Sequence, residues 1–597
     1  MTMPKTASRM NALNTTPAAM PTTLRTGGQI TIGSYLLDRL YGLGLRHIFG
    51  IPGDYILGLY DLIEKSPIES IISTNENCAG FAADGYARVK GIGCCCVTYC
   101  VGGLSALNPI ACAYAERSPV ILLSGSPGRD ERLRNPLLHH MVRDFSTQWE
   151  VFEKVTEAAV VLDDPLTAQR EIDRTLDILM RYKRPVYIEV PRDMVHVPLR
   201  GESAPLPVPA IETDRDALQD AIDEVRQMLR AAKKPVILAG MEIHRFGLQE
   251  SLLRIVERFN VPVASTLLGK SVVQEDHPLS VGVYGGMVGR DEVQEFVDDA
   301  DCVLMLGSIL TDIDIGAYAS VLDESRTIHA TAGKLAVRRH RYMNVPFEVF
   351  VRALSDAPEM PRFENRELPK PHYAFTQRPA DSDAVTLQGM FGHIDSLLNE
   401  KMIVVADVGE SLFASTDLRV RERTEFLSPA YYTSMGFAVP ASIGTRFAAP
   451  ELRPLVLVGD GAFQMTGMEL ANAVRHNLAP IVVILNNRGY STEREIMEGP
   501  FNDIHNWQYD RIVDLLRGGV GHVVKTHGEF VQAMDQALKN TGEMHVLNVL
   551  LDPSDRSPAM TRLARRLAER LAPTHENVTP DNLPADEVSP TDNAALN

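Results

Sequence analysis

Short, continuously apolar runs rich in β-branched residues recur along this chain, and each stops at Gly, Asp, Asn or Ser without passing through an alternating pattern. HIFGI, IESIIST, CCCVTY, PVILLSG and PVYIEV, between positions 47 and 190, form a first set. KPVILAG, VPVASTLLG and DCVLMLGSILTD, between 234 and 312, form a second, and the runs 455–458 and 481–485 belong to a third. A strand buried on both faces of a parallel sheet reads this way, whereas a half-exposed strand alternates. Between the two runs of the third set, residues 465–477 have helical spacing, which predicts a βαβ unit. Strands alternating with helices in all three sets predict an α/β chain of three doubly wound, mainly parallel-sheet domains.

Two polar, Pro-rich connections, PLRGESAPLPVPAIETD at 198–214 and PEMPRFENRELPKPHYAFTQRPADSD at 358–383, separate the sets. The expected domains are therefore 29–198, 214–356 and 384–556, and a length of 597 residues has room for them at roughly 150 residues each. Residues 1–28, rich in Thr, Ala and Pro, and residues 573–597, rich in Pro, Asn, Asp and Glu, read as disordered tails.

A formal net charge of −18 argues against nucleic acid and anionic membranes as partners and leaves small-molecule chemistry as the better fit. Nothing in the sequence has the ~18 consecutive apolar residues of a membrane span, and the first residues lack the apolar core of a secretory signal, so the expected location is the cytoplasm. The seven cysteines include Cys94, Cys95, Cys96 and Cys100 on one apolar strand, with no matching pair at zinc-ligand spacing; buried free thiols are expected. The middle set carries no phosphate-binding fingerprint.

The candidate chemistry lies at the strand ends. Gly459-Asp460-Gly461 and Asn486-Asn487-Arg488-Gly489 close two successive strands of the third set, where a parallel sheet opens onto its ligand crevice. The Asp460 carboxylate, the Asn487 amide oxygen and a carbonyl at Gly489 are hard oxygen donors of the kind Mg²⁺ takes beside phosphate. Either cluster alone reads as a tight turn. In the first set, Asp54 follows a strand in a Gly-Asp turn, Glu76 opens a helix, and His139-His140 is a rare adjacent pair. Singly these read as an Asx turn, a helix-start acid and a surface pair. Glu493 lies six residues beyond Asn487, beside any diphosphate held there.

Together the pieces form a recognisable whole. Gly-Asp-Gly, 24 residues and Asn-Asn on successive strands is similar to the thiamine-diphosphate binding motif. The ordered set FGIPGDY, TNENCAGFAADGYAR, VTYCVGGLSALN, AYAERSPVILLSG, LHH, MGF-VP, VGDGAFQMT and NNRGYSTE, over about residues 31–552, resembles the thiamine-diphosphate-dependent 2-oxo acid decarboxylases acting on pyruvate, indolepyruvate or phenylpyruvate.

That resemblance implies thiamine diphosphate and Mg²⁺ bound between the first domain of one subunit and the last domain of another, hence a homodimer at least and a homotetramer by analogy. It implies that Glu76 bonds the aminopyrimidine and so drives formation of the nucleophilic ylid, and that Met435 props the cofactor into its bent shape. Thr433 contributes its carbonyl, and Gly409, Glu410, Gly459, Gly461 and Ala462 also line the cofactor. Asp460, Asn487 and Gly489 hold the metal. Attack on a 2-oxo acid, loss of CO₂ and protonation of an enamine then give an aldehyde, with Asp54, His139, His140 and Glu493 as the acid–base group. Leu412 stands where pyruvate-specific relatives have Trp, Thr492 where Ile or Val is common, and Ile313 where a Tyr is found; with Ile496 these line a pocket expected to admit aromatic or branched 2-oxo acids. The alternatives are a carboligase of the acetolactate synthase type, which lacks the His pair and the Glu after NNxGY, and a non-catalytic cofactor-binding protein, which would have lost Glu76 or a metal ligand.

Overall fold

The computed structural model describes residues 29–200, 212–314, 323–369, 378–419 and 425–571. Both tails read from the sequence, 1–28 and 573–597, lie outside the described residues. Three sheets account for the three sets of apolar runs. The first comprises β1 (His47–Gly50), β2 (Glu69–Ile72), β3 (Gly93–Val97), β4 (Val120–Ser126), β5 (Ala158–Val161) and β6 (Val186–Pro191), in the order β2-β1-β3-β4-β6-β5 and parallel throughout.

The second comprises β7 (Pro235–Ala239), β8 (Val263–Thr266), β9 (Ser280–Tyr284), β10 (Cys302–Leu306), β11 (Thr327–Thr331), β12 (Lys334–Val337) and β13 (His340–Tyr342), in the order β13-β12-β11-β10-β7-β8-β9. Its β12 and β13 run antiparallel at one edge. The third is again parallel throughout: β14 (Met402–Ala406), β15 (Glu425–Leu427), β16 (Arg453–Gly459), β17 (Ile481–Asn486), β18 (Val520–Val524) and β19 (His545–Leu550), ordered β15-β14-β16-β17-β19-β18. β3, β4, β7, β10 and β14 are buried at every residue, as their unbroken apolar sequences require. Among the strands without such a run, β5, β18 and the hairpin β12–β13 are short and partly exposed.

The segment 465–477, expected as one helix, is broken. A helix starts at Asp460 and runs to Thr466, a 3₁₀ turn covers Gly467–Glu469, and a second helix spans Leu470–Arg475. Gly467 lies against the Phe463 ring, where an added Cβ would come within 2.5 Å. The break turns the buried Glu469 towards the first sheet, where its Oε2 accepts from Thr74 N at 2.8 Å and Thr74 Oγ1 at 2.6 Å.

The cores cross from one sheet's unit to the next. Phe81 and Cys112 join the apolar cluster beneath one face of the third sheet, and Leu267, Val283 and Val288 join the one beneath its other face. The buried Lys270 donates to Leu418 O at 2.7 Å and Thr416 O at 3.2 Å, tying the middle unit to the last. The tightest junction is the crossing of helix Glu76–Lys90 with helix Ala438–Ala448, where Ala82, Gly85, Ala441 and Gly444 keep the surface low. A Cβ on Gly444 would stand 1.9 Å from Ala82 O, and one on Gly85 would stand 2.4 Å from Ala441 O.

Because backbone meets backbone there, Gly444→Ala has no side chain to push aside. We expect a loss of roughly 1–3 kcal/mol from forced separation of the helices, read as a lower melting temperature. An unchanged melting temperature would mean that the crossing is not close.

Candidate active site

Parallel strands point their carboxyl ends the same way, so the residues that follow them gather on one edge of each sheet. On the third sheet, Gly459 pairs with Leu485, which sets Asp460 and Asn487 just beyond two adjacent strand ends. Asp460 is almost fully buried; its Oδ1 accepts from Gly461 N at 2.8 Å and its Oδ2 from Arg488 N at 2.7 Å. Burial still pushes its carboxyl up to about 6, with the backbone N–H groups pulling the other way. Asn487 is buried and its Oδ1 has no hydrogen-bond partner.

A desolvated carboxylate beside an orphaned carbonyl oxygen is the donor set a hard divalent cation completes. The glycines fit the same reading. A Cβ on Gly489 would stand 2.1 Å from Asn502 O, and one on Gly461 would stand 2.5 Å from the Tyr490 ring, so neither position accepts a side chain. Gly459 faces open space, with nothing within 4 Å of the place its Cβ would take.

The neighbouring strand end contributes a second group. After β14 the buried Asp407 accepts from Val408 N at 3.0 Å, Gly436 N at 3.1 Å and Ala438 N at 2.8 Å. Gly409 follows with φ +75°, and Glu410, buried, accepts from Ser557 N at 2.6 Å while its Oε2 stays unpartnered. Burial pushes the Glu410 carboxyl up to about 7. Thr433 has φ +53°, a costly backbone for a β-branched residue, and Met435 packs partly buried against the cluster that holds Phe81 and Phe437. Asp407 is the residue that sequence reasoning passed over here. The acid directly after an apolar run, in VVADVGE, was its signal.

At the carboxyl edge of the first sheet, Glu76 is the first residue of its helix, capped by the Asn75 side chain, which accepts from Cys78 N. Glu76 is half-buried and, among the described residues, its carboxylate makes no hydrogen bond; Gly102, whose Cβ would lie 3.5 Å from Glu76 Oε1, leaves it room. Asp54, His139 and His140 come together from separate segments. His139 Nε2 lies 2.8 Å from Asp54 Oδ2, and the two imidazoles meet edge to face at 4.8 Å.

Tyr55 was also missed. Its ring stacks on His139 at 4.9 Å and its hydroxyl donates to His139 O at 3.3 Å, fixing the loop from below. Arg192 adds a positive charge 3.9 Å from Asp54 Oδ2. His140 has φ +69° and a buried Nδ1 without a partner.

The expected site residues thus form two groups. Asp54, Glu76, His139 and His140 belong to the first sheet's edge, while Gly409, Glu410, Thr433, Met435, Gly459, Asp460, Gly461, Ala462, Asn487, Gly489 and Glu493 belong to the third's. Glu493 is exposed on helix Ser491–Ile496 and stands apart from the Asp54–His139–His140 group. Among the described residues no hydrogen bond or ion pair links Glu76 with Asp460 or Asn487. Of the pocket positions, Leu412 is fully buried in the cluster against which Ile313 packs, Thr492 Oγ1 lies 3.3 Å from where a Gly409 Cβ would stand, and Ile496 is exposed.

Comparison with known proteins gives three family matches along the chain. Residues 30–147 match "Thiamine pyrophosphate enzyme, N-terminal TPP binding domain", 222–356 match "Thiamine pyrophosphate enzyme, central domain", and 407–549 match "Thiamine pyrophosphate enzyme, C-terminal TPP binding domain". The chain is 34% identical to an indole-3-pyruvate decarboxylase of Azospirillum brasilense, over 89% of this chain and 97% of that one. It is 31% identical to pyruvate decarboxylase 3 of Arabidopsis thaliana, over 94% and 97%, and 32% identical to an alpha-keto-acid decarboxylase of Mycobacterium leprae, over 90% and 95%.

If Asp460 and Asn487 form a cation site, Asp460→Ala removes the charged ligand, and Mg²⁺-dependent retention of thiamine diphosphate should be abolished. Titration calorimetry giving wild-type affinity in that variant would remove the metal assignment.

Proposed function

The chain belongs to the thiamine-diphosphate-dependent 2-oxo acid decarboxylases, and from that premise we propose that it favours aromatic or branched 2-oxo acids over pyruvate and works as a homodimer at least, assembled further into a tetramer, in the cytoplasm. The domain limits we adopt are 29–198, 214–356 and 384–556. The substrate reading is supported by the residue types at the expected pocket positions: Leu412 lies in the core cluster against which Ile313 packs, Thr492 Oγ1 lies 3.3 Å from where a Gly409 Cβ would stand, and Leu412 and Ile313 are smaller than the Trp and Tyr that the resemblance expects there. Ile496 is exposed at the end of the helix that carries Thr492.

The dimer is supported by what each half-site leaves uncovered. Leu57, Val101, Leu137 and Val142 are exposed around the first sheet's edge, and Tyr431, Tyr432, Met465, Met468, Met497, Phe501 and Trp507 around the third's. Apolar surface of this extent, bordering polar strand ends, is suited to a second copy that brings one chain's Glu76 edge to the other's Asp460 edge. All seven cysteines are free and buried, which suits a reducing compartment. Among the described residues no helix is long and apolar enough to cross a membrane.

When bound, thiamine diphosphate supplies a nucleophilic carbon for the substrate's keto group and a sink for the electron pair released as CO₂ departs. The protein's part is to hold and to move protons. Asp460, Asn487 Oδ1 and the Gly489 carbonyl would hold the divalent ion, and Gly459, Gly461 and Ala462 would let the diphosphate approach the backbone. Gly409, Glu410, the Thr433 carbonyl and Met435 would hold the ring portion. Glu76, whose carboxylate has no competing partner, would accept a hydrogen bond from the pyrimidine ring. Asp54, His139, His140 and Glu493 deliver the proton that completes the aldehyde; the Asp54–His139 hydrogen bond keeps one imidazole oriented for transfer.

Glu76→Gln keeps the shape but replaces that carboxylate with a neutral amide. Turnover should fall on the order of 10²- to 10⁴-fold while the fold, checked by circular dichroism, is kept. Unchanged turnover with bound cofactor would sink the role.

For the substrate, kcat/KM for phenylpyruvate should exceed that for pyruvate by about tenfold or more, since burying a ring or branched chain contributes roughly 1.5–3 kcal/mol. A higher value for pyruvate would show that the pocket is closed.

A further inference from the structure

The loop that carries Asn487 and Gly489 is gripped by one later stretch of chain, residues 502–510. Tyr490 N donates to Asn502 O at 2.9 Å, Ile504 N donates to Arg488 O at 3.3 Å, and Gly489 pairs with Asp503 in an isolated antiparallel bridge. The same stretch is tied to the helix that begins at Asp460, whose Gln464 Nε2 donates to His505 O at 2.7 Å and to Tyr509 Oη at 2.8 Å. Asp460 and Asn487 thus sit on two elements that share one clamp.

The clamp meets the strand end through side chains of fixed polarity. Asn486, the last residue of β17, is buried, and its Nδ2 donates to Asn506 Oδ1 at 3.0 Å and to Asn548 Oδ1 at 2.9 Å. Asn548 is buried on the neighbouring β19, a polar residue inside the apolar run HVLNVL, and its Nδ2 donates to Asp510 Oδ1 at 3.0 Å. An ionised carboxylate only accepts, so Asp510 must be met by the Asn548 NH₂ group; the Asn548 oxygen is then turned to Asn486, which must answer with its own NH₂. Each amide has two ways round, and the carboxylate at the end of the row selects one for both. That selection leaves Asn486 Oδ1 buried without a partner, so it is imposed by the neighbours and not by the needs of Asn486 itself.

We infer that Asp510 and Asn548 are positioning residues for the cation site: acting through Asn486, they fix the end of β17 so that the next residue, Asn487, presents its own unpartnered Oδ1 at the edge where Asp460 stands. This rests on the reading that Asp460 and Asn487 hold the divalent ion, and it adds to that reading two residues outside the Gly-Asp-Gly and Asn-Asn motifs. The spacing of those motifs does not mark them, since Asn548 lies 62 residues from Asn486 and on another strand.

The full-length protein tests this in two ways, one of them without cofactor. Asn548→Leu, close to Asn in volume but with no acceptor for Asn486, should raise hydrogen exchange at residues 488–490 about tenfold or more in cofactor-free protein, with the first and middle units unchanged. It should also raise, by about tenfold, the Mg²⁺ concentration at which half of the protein retains thiamine diphosphate, while KM for the 2-oxo acid at saturating Mg²⁺ and cofactor stays unaltered. Asn548→Asp sets a second carboxylate against Asp510 and should produce the same losses. Adding Asp510→Asn to it moves the carboxylate one place along the row, where it accepts from an amide on either side, and should recover most of each loss; general damage to the strand has no reason to be repaired by a second substitution. Should Asn548→Leu fail to fold, Asn548→Asp and the double variant decide. Wild-type exchange at 488–490 with a wild-type Mg²⁺ midpoint in Asn548→Asp, exchange that rises equally over the whole chain, or a double variant no better than the single overturns the inference. A wild-type Mg²⁺ midpoint in Asp460→Ala overturns the reading beneath it, whereas loss in Asp460→Ala with an unaffected Asn548→Asp overturns this inference alone.

Discussion

A carboxylate taken out of water must find backbone N–H groups or a counter-charge, and much of this molecule is arranged around that requirement. Glu116, Asp407, Glu410 and Asp460 are all buried. Glu116, Asp407 and Asp460 each accept at least two backbone N–H groups, and these bonds shape the turns around the third sheet's carboxyl edge. Where the donors fall short, the carboxyl group is left ready for something more. Burial pushes Asp460 and Asp407 up to about 6 and Glu410 to about 7, and the Glu410 Oε2 and Asn487 Oδ1 atoms have no partner. The same edge therefore has its backbone fixed and its electrostatics incomplete, which is the state a divalent cation and a polar cofactor relieve.

The second constraint is steric. Helix Glu76–Lys90 and helix Ala438–Ala448 touch at the backbone, so the first unit cannot shift relative to the third without breaking a contact that has no slack. The same helix begins with Glu76 and carries Arg88 near its other end, which pairs with Glu116. A single helix thus presents the Glu76 carboxylate at one end and, through Arg88 and Glu116, holds the chain before Thr433 at the other. These two ends serve different edges of the chain, which is consistent with a site completed by association: each copy offers a Glu76 edge and an Asp460 edge, each bordered by uncovered apolar residues.

Much of this was legible in the residues. Unbroken β-branched runs dictated parallel sheets because only a strand covered on both faces has no use for polar alternation, and the strand ends then located Asp460, Asn487 and Glu76 without any coordinates. The spacing of Gly-Asp-Gly and Asn-Asn marked the thiamine-diphosphate motif, and the ordered set of motifs from FGIPGDY to NNRGYSTE marked the family. Less visible were the single helix expected over 465–477, which breaks at Gly467, and the strands β5, β12 and β13, whose short and partly polar sequences carry no strong period.

What the sequence by itself determined is the set of chemical groups and the kind of scaffold that aligns them, since both follow from local pattern and from distances along the chain. What only the tertiary structure decided is which buried groups hold the others in place. Glu116 and Tyr431 are 315 residues apart, and Glu469 and Thr74 are 395 apart. Asp54 and Tyr55 meet His139 across more than eighty residues of chain. A hydrogen bond fixes direction and distance to within fractions of an ångström, and no local pattern encodes a partner so remote; it exists only once three sheets have packed and each carboxylate has been forced to find its donors.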